Sequence, residues 1–235
     1  MTLQNAPNGT DNTASEPGDT QDFNLDQYKD RIARHLDPAN EANHLFFDAL
    51  QFAYDLHAGQ RRKSGAPYIS HPCAVAEILA RELRFKDPVL LAAALLHDVV
   101  EDVPYITTED IENRFGLTVA EIVDGLTKLE RYHMDRAILK DLTHSKIFLS
   151  ASRRLGVLLI KLVDRLHNLR TLHYLPLAKR QRIALETVEI YAPIAARFNI
   201  FPLKRELYHI ALSHLYPKKS KKILQYIRDF RNSST

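Results

Sequence analysis

Apolar side chains recur at helical spacing in one window of this chain after another, and no window sustains the period-two alternation of a half-buried strand. Ala42, Leu45, Phe46, Ala49, Leu50, Ala53 and Tyr54 form one stripe, which stops near Gly59. Pro72 opens a second helix carrying Val75, Ile78, Leu79 and Leu83. Asp87-Pro88 supplies an N-cap and a first-turn proline for a third helix over Val89–Asp102. Thr118 and Glu121 make a capping-box signature ahead of Ile122, Val123 and Leu126. Leu155 to Leu175 is a long periodic run ended by Pro176, and Leu177 to Phe198 is another, expected to kink at Pro193. Leu203 to Tyr216 adds one more. The pattern contains no internal repeat and predicts an all-α bundle of about eight to ten helices.

A chain of 235 residues suits one domain with a substantial core. Seven glycines, with neither GxGxxG nor GxxxxGK[ST], argue against a phosphate loop. The single cysteine, Cys73, excludes an internal disulfide framework and a cysteine-based zinc cluster, and it reads as a small core residue. The N-terminus lacks a basic start and apolar h-region, and no stretch is long and apolar enough to span a bilayer. A cytoplasmic protein is the expectation, with no membrane partner.

Charge is unevenly spread. Residues 1–28 hold five acids and no Lys or Arg, so the remaining 207 residues carry 32 basic against 24 acidic side chains, a net +8. A basic body points to an anionic ligand. The polar segment 1–22 is read as disordered, since it has too little apolar surface to offset the entropy of ordering. The domain division is an acidic tail over 1–28, a globular domain over 29–217 and a basic C-terminal helix and tail over 218–235. Ile223, Leu224, Ile227 and Phe230 recur at helical spacing in that last segment, which makes it an amphipathic helix with a solvated face. Nucleic acid is therefore not the expected partner.

His71, the pair His97-Asp98 and Asp164 are the candidate metal ligands. His97 and Asp98 end the apolar run LLAAALLHD, and Asp164 lies within LGVLLIKLVDRLHNL, where a charged group must be paired or ligating. The HD dipeptide alone carries little weight, because 11 His and 17 Asp in this length supply about one by chance. Two imidazoles and two carboxylates form a mixed N/O donor set that suits Mn²⁺, Fe²⁺ or Zn²⁺. Taken singly, His97 reads better as a satisfied core histidine and Asp98 as a helix-end carboxylate; the combined arrangement, with the residues below, is what points to a metal.

Glu101 and Asp102 fall one helical turn after His97 and Asp98, on the same face. So many charged and ligating groups in six residues would repel without a cation to organise them. With one, the second acidic pair can position or deprotonate water, or protonate a leaving oxygen. The alternative is a solvated acidic helix end. Asn168, at i+4 from Asp164 and next to His167, can bond a sugar or phosphate or make a buried polar contact. The loop Arg61-Arg62-Lys63-Ser64-Gly65, shortly before His71, suits a phosphorylated substrate or is a solvated basic loop.

These residues lie in segments with a recognisable order: Gln60–Ser64 and GAPYISHP, AAALLHDVVEDVP, FGLTVAEIVDGLTKL, LIKLVDRLHNLRTL, ETVEIYAPIAARFNI and LKRELYHIALSHLYP. In them the chain resembles the hydrolase domain of RelA/SpoT homologue proteins, within the HD phosphohydrolase superfamily. The resemblance covers nearly everything from about residue 41 to 217. It implies Mn²⁺-dependent hydrolysis of the alarmone (p)ppGpp at its 3′-pyrophosphate, giving GDP or GTP and pyrophosphate. It assigns His71, His97, Asp98 and Asp164 to the metal, Glu101 and Asp102 to catalysis, and Arg62, Lys63, Ser64 and Asn168 to the nucleotide.

The match has departures. Arg154-Leu155-Gly156-Val157 stands where the family usually shows Asp-x-Arg-Val, and Arg131 to Arg153 lacks the usual Asn, Arg and Lys pattern. Long family members continue into a synthetase domain, and this chain ends at Thr235, before one could fit. Two alternatives stay open: an HD module that hydrolyses another nucleotide, or one that binds alarmone or a partner without catalysis. Oligomeric state is not legible in the sequence.

Overall fold

The computed structural model describes residues 23–131 and 152–233. The segment 1–22 and most of the departing stretch between Arg131 and Arg153 lie outside the described residues. Among those described the chain is helical, apart from loops and one isolated antiparallel bridge between Arg61 and Pro67. The all-α expectation holds.

Helix α1 (Leu25–Ala33) is N-capped by Asn24, whose side chain accepts from the Gln27 amide at 2.9 Å. Tyr28 on α1 is fully buried and donates its hydroxyl to the Cys73 carbonyl at 3.0 Å, so the boundary drawn at residue 28 falls inside a packed helix. Helix α2 (His44–Leu56) follows, and Ala42, counted in its stripe, is instead exposed in the 3₁₀ turn Glu41–Asn43. Helix α3 (Ser70–Glu77) begins two residues before Pro72, which sits in its first turn, and runs on into a π turn over Ile78–Glu82. Cys73 is buried there, as a small core residue.

Helix α4 (Pro88–Leu96) starts as its sequence requires, with the Asp87 carboxylate accepting from the Val89 amide at 3.0 Å. Its residues Leu90 to Leu96 are all buried, since it packs against α2, α3 and α7 (Leu117–Arg131). A helix apolar all round has to be surrounded in this way. The expected single helix to Asp102 is broken at His97-Asp98, and α5 (Val99–Asp102) is a separate turn. The capping box also lies elsewhere. Thr107 and Asp110 cap α6 (Thr108–Phe115) reciprocally, at 2.8 and 3.2 Å. Gly116, at φ +88°, ends that helix, and α7 begins at Leu117, so Thr118 is already inside it.

Helix α8 (Ser152–Arg170) packs against α3, α7 and α11 (Phe201–Leu215). Between them lie α9 (Leu177–Glu186), a π turn over Thr187–Tyr191 and α10 (Ala192–Arg197). The expected kink at Pro193 is thus resolved as a widened turn just before the proline, which sits in the first turn of α10, where its missing N–H is tolerated. Helix α12 (Pro217–Ser233) closes the described chain.

The α7–α8 approach is set by Gly125, where an added Cβ would stand 2.8 Å from Cγ2 of Val157, a side chain with little rotamer freedom. Gly125→Ala is expected to lower the unfolding free energy by about 1–2 kcal/mol despite alanine's better helix propensity. In a Val157→Ala background it should cost nothing. Urea denaturation of the four proteins in this cycle tests both statements.

Candidate metal centre

Four pieces of chain deliver the site. The Gln60–Tyr68 loop doubles back on itself: the Tyr68 amide donates to the Gln60 carbonyl at 2.9 Å, and that of Arg62 to Ala66 at 2.8 Å. Gly65 takes φ +89° at the tip, a conformation that favours glycine. The turn projects Arg61, Arg62, Lys63 and Ser64. Next, the first turn of α3 carries His71. The break after α4 carries His97 and Asp98, and the middle of α8 carries Asp164, with His167 and Asn168 one turn on.

These elements bring the predicted ligands together. His71, His97 and Asp164 are buried, and each offers a ligand atom within 4.8 Å of the others, which makes them a group able to hold a metal ion among the described residues. Nε2 of His71 is 3.2 Å from Oδ1 of Asp164 and 3.7 Å from Oδ2 of Asp98. Nε2 of His97 is 3.1 Å from Oδ1 of Asp98. Three neighbours complete the surroundings of the carboxylates. The Tyr68 hydroxyl donates to Oδ2 of Asp98 at 2.8 Å, the Asn168 amide donates to Oδ1 of Asp164 at 2.6 Å, and the Lys161 ammonium stands 3.3 Å from Oδ2 of Asp164.

The protonation states suit ligation. Burial pushes the Asp98 carboxyl up, but the His97 and His71 imidazoles and the Tyr68 hydroxyl outweigh it and hold the group below the usual range. Burial is likewise outweighed at Asp164 by Lys161 and His71, which leave it well below that range. Burial keeps the His71 imidazole neutral by lowering its pKa, more than the two carboxylates raise it. Anionic carboxylates and neutral imidazoles are the forms that bind divalent metals.

One atom tests whether a cation belongs here. Nδ1 of His97 lies 2.8 Å from the Ala94 carbonyl, which can only accept, so Nδ1 carries a proton, and in the metal-binding form of the ring Nε2 is bare. That buried Nε2 has no hydrogen-bond partner and lies 3.1 Å from a carboxylate oxygen, so in that form the two would meet lone pair toward lone pair. A divalent cation between them removes the conflict, and the N/O donor set fits one.

Beside the centre lies a cavity of about 510 Å³ that shares Asp164 and Asn168 as a wall and is lined by the cations Arg61, Arg62, Lys63, Lys161, Arg165 and Lys179. Ser64 lines it too. Lys63 and Lys179 stand close enough that the first holds the second's ammonium below its ordinary pKa, a like-charge approach that an anion would relieve.

The remaining predicted residues are placed less simply. The break at His97-Asp98 undoes half of the expected face-sharing. The Asp102 amide bonds the Asp98 carbonyl at 2.9 Å, one helical turn on, whereas the Glu101 amide also bonds Asp98 at 3.1 Å rather than His97. Both acidic side chains are exposed. Arg62 turns inward, its Nη2 donating to Oδ1 of Asn168 at 3.0 Å. Sequence reasoning missed Tyr68, Lys161, His167 and Lys179. Lys161 and His167 sit three residues either side of Asp164, so the helix-face rule marks them once Asp164 is chosen. Tyr68 and Lys179 carry no such local signal.

The chain matches the HD domain family over residues 49–201. It is 41% identical over 208 residues to the probable guanosine-3′,5′-bis(diphosphate) 3′-pyrophosphohydrolase of Synechocystis sp., a match covering 88% of this chain and 27% of that protein. It is 44% identical over 186 residues to the bifunctional (p)ppGpp synthase/hydrolase SpoT of Escherichia coli, covering 79% of this chain and 26% of that protein. The chain thus spans about a quarter of the length of these curated relatives. Among solved structures it resembles a metazoan ortholog of SpoT that hydrolyzes ppGpp, with a TM-score of 0.55 and 30% identity, covering 71% of this chain and 93% of that one. The chain belongs to the HD domain family and, within it, to the RelA/SpoT homologues.

Proposed function

We propose that this protein hydrolyses the 3′-pyrophosphate of (p)ppGpp to GDP or GTP and pyrophosphate, using Mn²⁺ held by His71, His97, Asp98 and Asp164. The observation that carries the proposal is the shared wall. Asp164 belongs at once to a buried donor cluster suited to a divalent cation and to a cation-lined cavity suited to several phosphates. Relatives named as 3′-pyrophosphohydrolases support the same substrate. No helix among the described residues is long and apolar enough to cross a membrane, and cytoplasmic residence is part of the proposal.

When bound, the cation supplies Lewis acidity, activating water and offsetting charge on the phosphoryl group. The chain's own side chains do the rest. Lys63 and Ser64, with Arg62 and Asn168 on the cavity wall, bind and orient the nucleotide, and the other cavity cations offset its phosphate charge. Water adds to the phosphorus next to the ribose 3′ oxygen, and the bond between that phosphorus and the 3′ oxygen breaks. Glu101 and Asp102, on the exposed turn after Asp98, take the proton from water and return one to the departing 3′ oxygen. Tyr68 holds the Asp98 carboxylate in place throughout. Its phenol, kept protonated by burial and by the Asp98 and Asp102 carboxylates, remains a donor.

Purified protein is expected to release pyrophosphate from ppGpp with Mn²⁺, to stop when the metal is chelated and to resume when it is restored. Turnover that persists in chelator would sink the metal assignment, and binding of ppGpp without product would make the chain an alarmone-binding module. Asp98→Ala and Asp164→Ala should reduce hydrolysis to background. Glu101→Gln and Asp102→Asn should lower kcat by roughly 10²–10⁴-fold while Mn²⁺ binding, followed by calorimetry, is kept. Lys63→Met should instead raise KM by about tenfold with a smaller effect on kcat, the mark of lost phosphate binding rather than lost chemistry.

A further inference from the structure

His167 is absent from the proposed ligand, catalytic and nucleotide sets, yet its ring links two of their side chains at the centre. Its Nδ1 is 3.2 Å from Nη1 of Arg62 and 2.8 Å from Nδ1 of His71. A guanidinium has donors only, so Arg62 makes Nδ1 of His167 an acceptor. An acceptor at that position can bond Nδ1 of His71 only if the proton of His71 is on Nδ1. The neutral ring then has its bare lone pair on Nε2, the atom facing Asp164 at 3.2 Å and Asp98 at 3.7 Å.

We propose that His167, held as an acceptor by Arg62, is a positioning residue that fixes the Nδ1–H tautomer of His71 and so presents Nε2 to the metal. The proposal rests on the metal-centre reading above and adds a group that touches neither metal nor substrate. The second imidazole needs no such help: the Ala94 carbonyl, within the same helical turn, sets the tautomer of His97. His71 sits in the first turn of α3, and the hydrogen bond that orients its Nδ1 comes from a side chain of α8. The same Arg62 fork reaches Oδ1 of Asn168 at 3.0 Å, turning the Asn168 amide nitrogen toward Asp164 at 2.6 Å. One guanidinium on the substrate loop thus orients supporting groups for two of the proposed ligands. Outer partners of this kind typically contribute roughly 10–100-fold to metal affinity.

The direct test is the ¹⁵N imidazole spectrum of the full, metal-free chain labelled at histidine, with the His71 signals identified by their loss in His71→Asn. His71 is expected as the Nδ1–H tautomer. His71 found protonated on Nε2 in the unmodified protein overturns the proposal, whatever any variant does. The second arm uses His167→Leu, which removes the acceptor, and His167→Asn, whose Oδ1 stands close to the position of Nδ1. Leu should move the His71 proton to Nε2 and weaken Mn²⁺ binding, read by electron paramagnetic resonance of free Mn²⁺, by roughly 10–100-fold. Asn should restore the tautomer and bring the affinity to within a few-fold of the original. A folded His167→Leu protein with unchanged tautomer or unchanged Mn²⁺ affinity also overturns it. These readouts do not depend on turnover. A chain with the expected tautomer and no hydrolysis of ppGpp defeats the proposed function alone, and an active chain with His71 protonated on Nε2 defeats the tautomer relay alone.

Discussion

Two carboxylates held as anions among apolar helices are the constraint around which the rest of this molecule is arranged. An uncompensated buried charge is costly, and two near one another are worse. Asp98 and Asp164 are made tolerable by what converges on them: a phenol from the basic loop and an ammonium and an amide from α8 itself, with imidazoles from α3 and the end of α4 placed to share a cation with them. These groups come from four separate stretches of chain, so the centre exists only when those stretches are packed together. The fully apolar α4 supplies the packing. Its buried surface anchors α2, α3 and α7 and ends where the polar cluster begins.

Helix α8 carries the other half of the centre, and its setting is unusual. Both π turns of the described chain, Ile78–Glu82 and Thr187–Tyr191, pack against it. On the second, the Arg165 guanidinium lies 4.0 Å over the Tyr191 ring and pairs with Glu186 at 3.2 Å. At its C-terminal end Arg170 bonds Glu82 and Glu206 at 2.7 to 2.8 Å, tying α8 to the first π turn and to α11. The helix is therefore held on several sides, which is what a ligand in its middle needs if donor distances are to be kept within tenths of an ångström.

Much of this was legible in the sequence, and the failures have physical causes. Asp87-Pro88 announced α4 because a cap and a proline act on their own neighbours. The break at His97-Asp98 gives no local warning: the run through Val99 and Val100 keeps its apolar character, and the groups that Asp98 meets at the break, Tyr68 and His71, lie some thirty residues away. Thr118 with Glu121 matches the capping-box pattern because glutamate is the familiar partner at the third helical position, whereas the working pair is Thr107 with Asp110. Three of the four ligand candidates, His97, Asp98 and Asp164, stand out as charged or ligating residues embedded in apolar runs, whereas His71 lies between a loop and a helix start. His167 escaped, since its importance lies in a proton position that depends on Arg62, more than a hundred residues earlier.

Arg62 belongs to two structures at once. Its backbone forms part of the loop that faces the phosphate cavity, while its guanidinium is spent on His167 and Asn168 behind the carboxylates. Occupancy of the cavity and occupancy of the cation centre are then two arms of one thermodynamic cycle. A nucleotide that strengthens the inward hold of Arg62 tightens the cation by some factor, and the cation must tighten that nucleotide by the same factor. A ligand that draws Arg62 outward has the opposite effect on both.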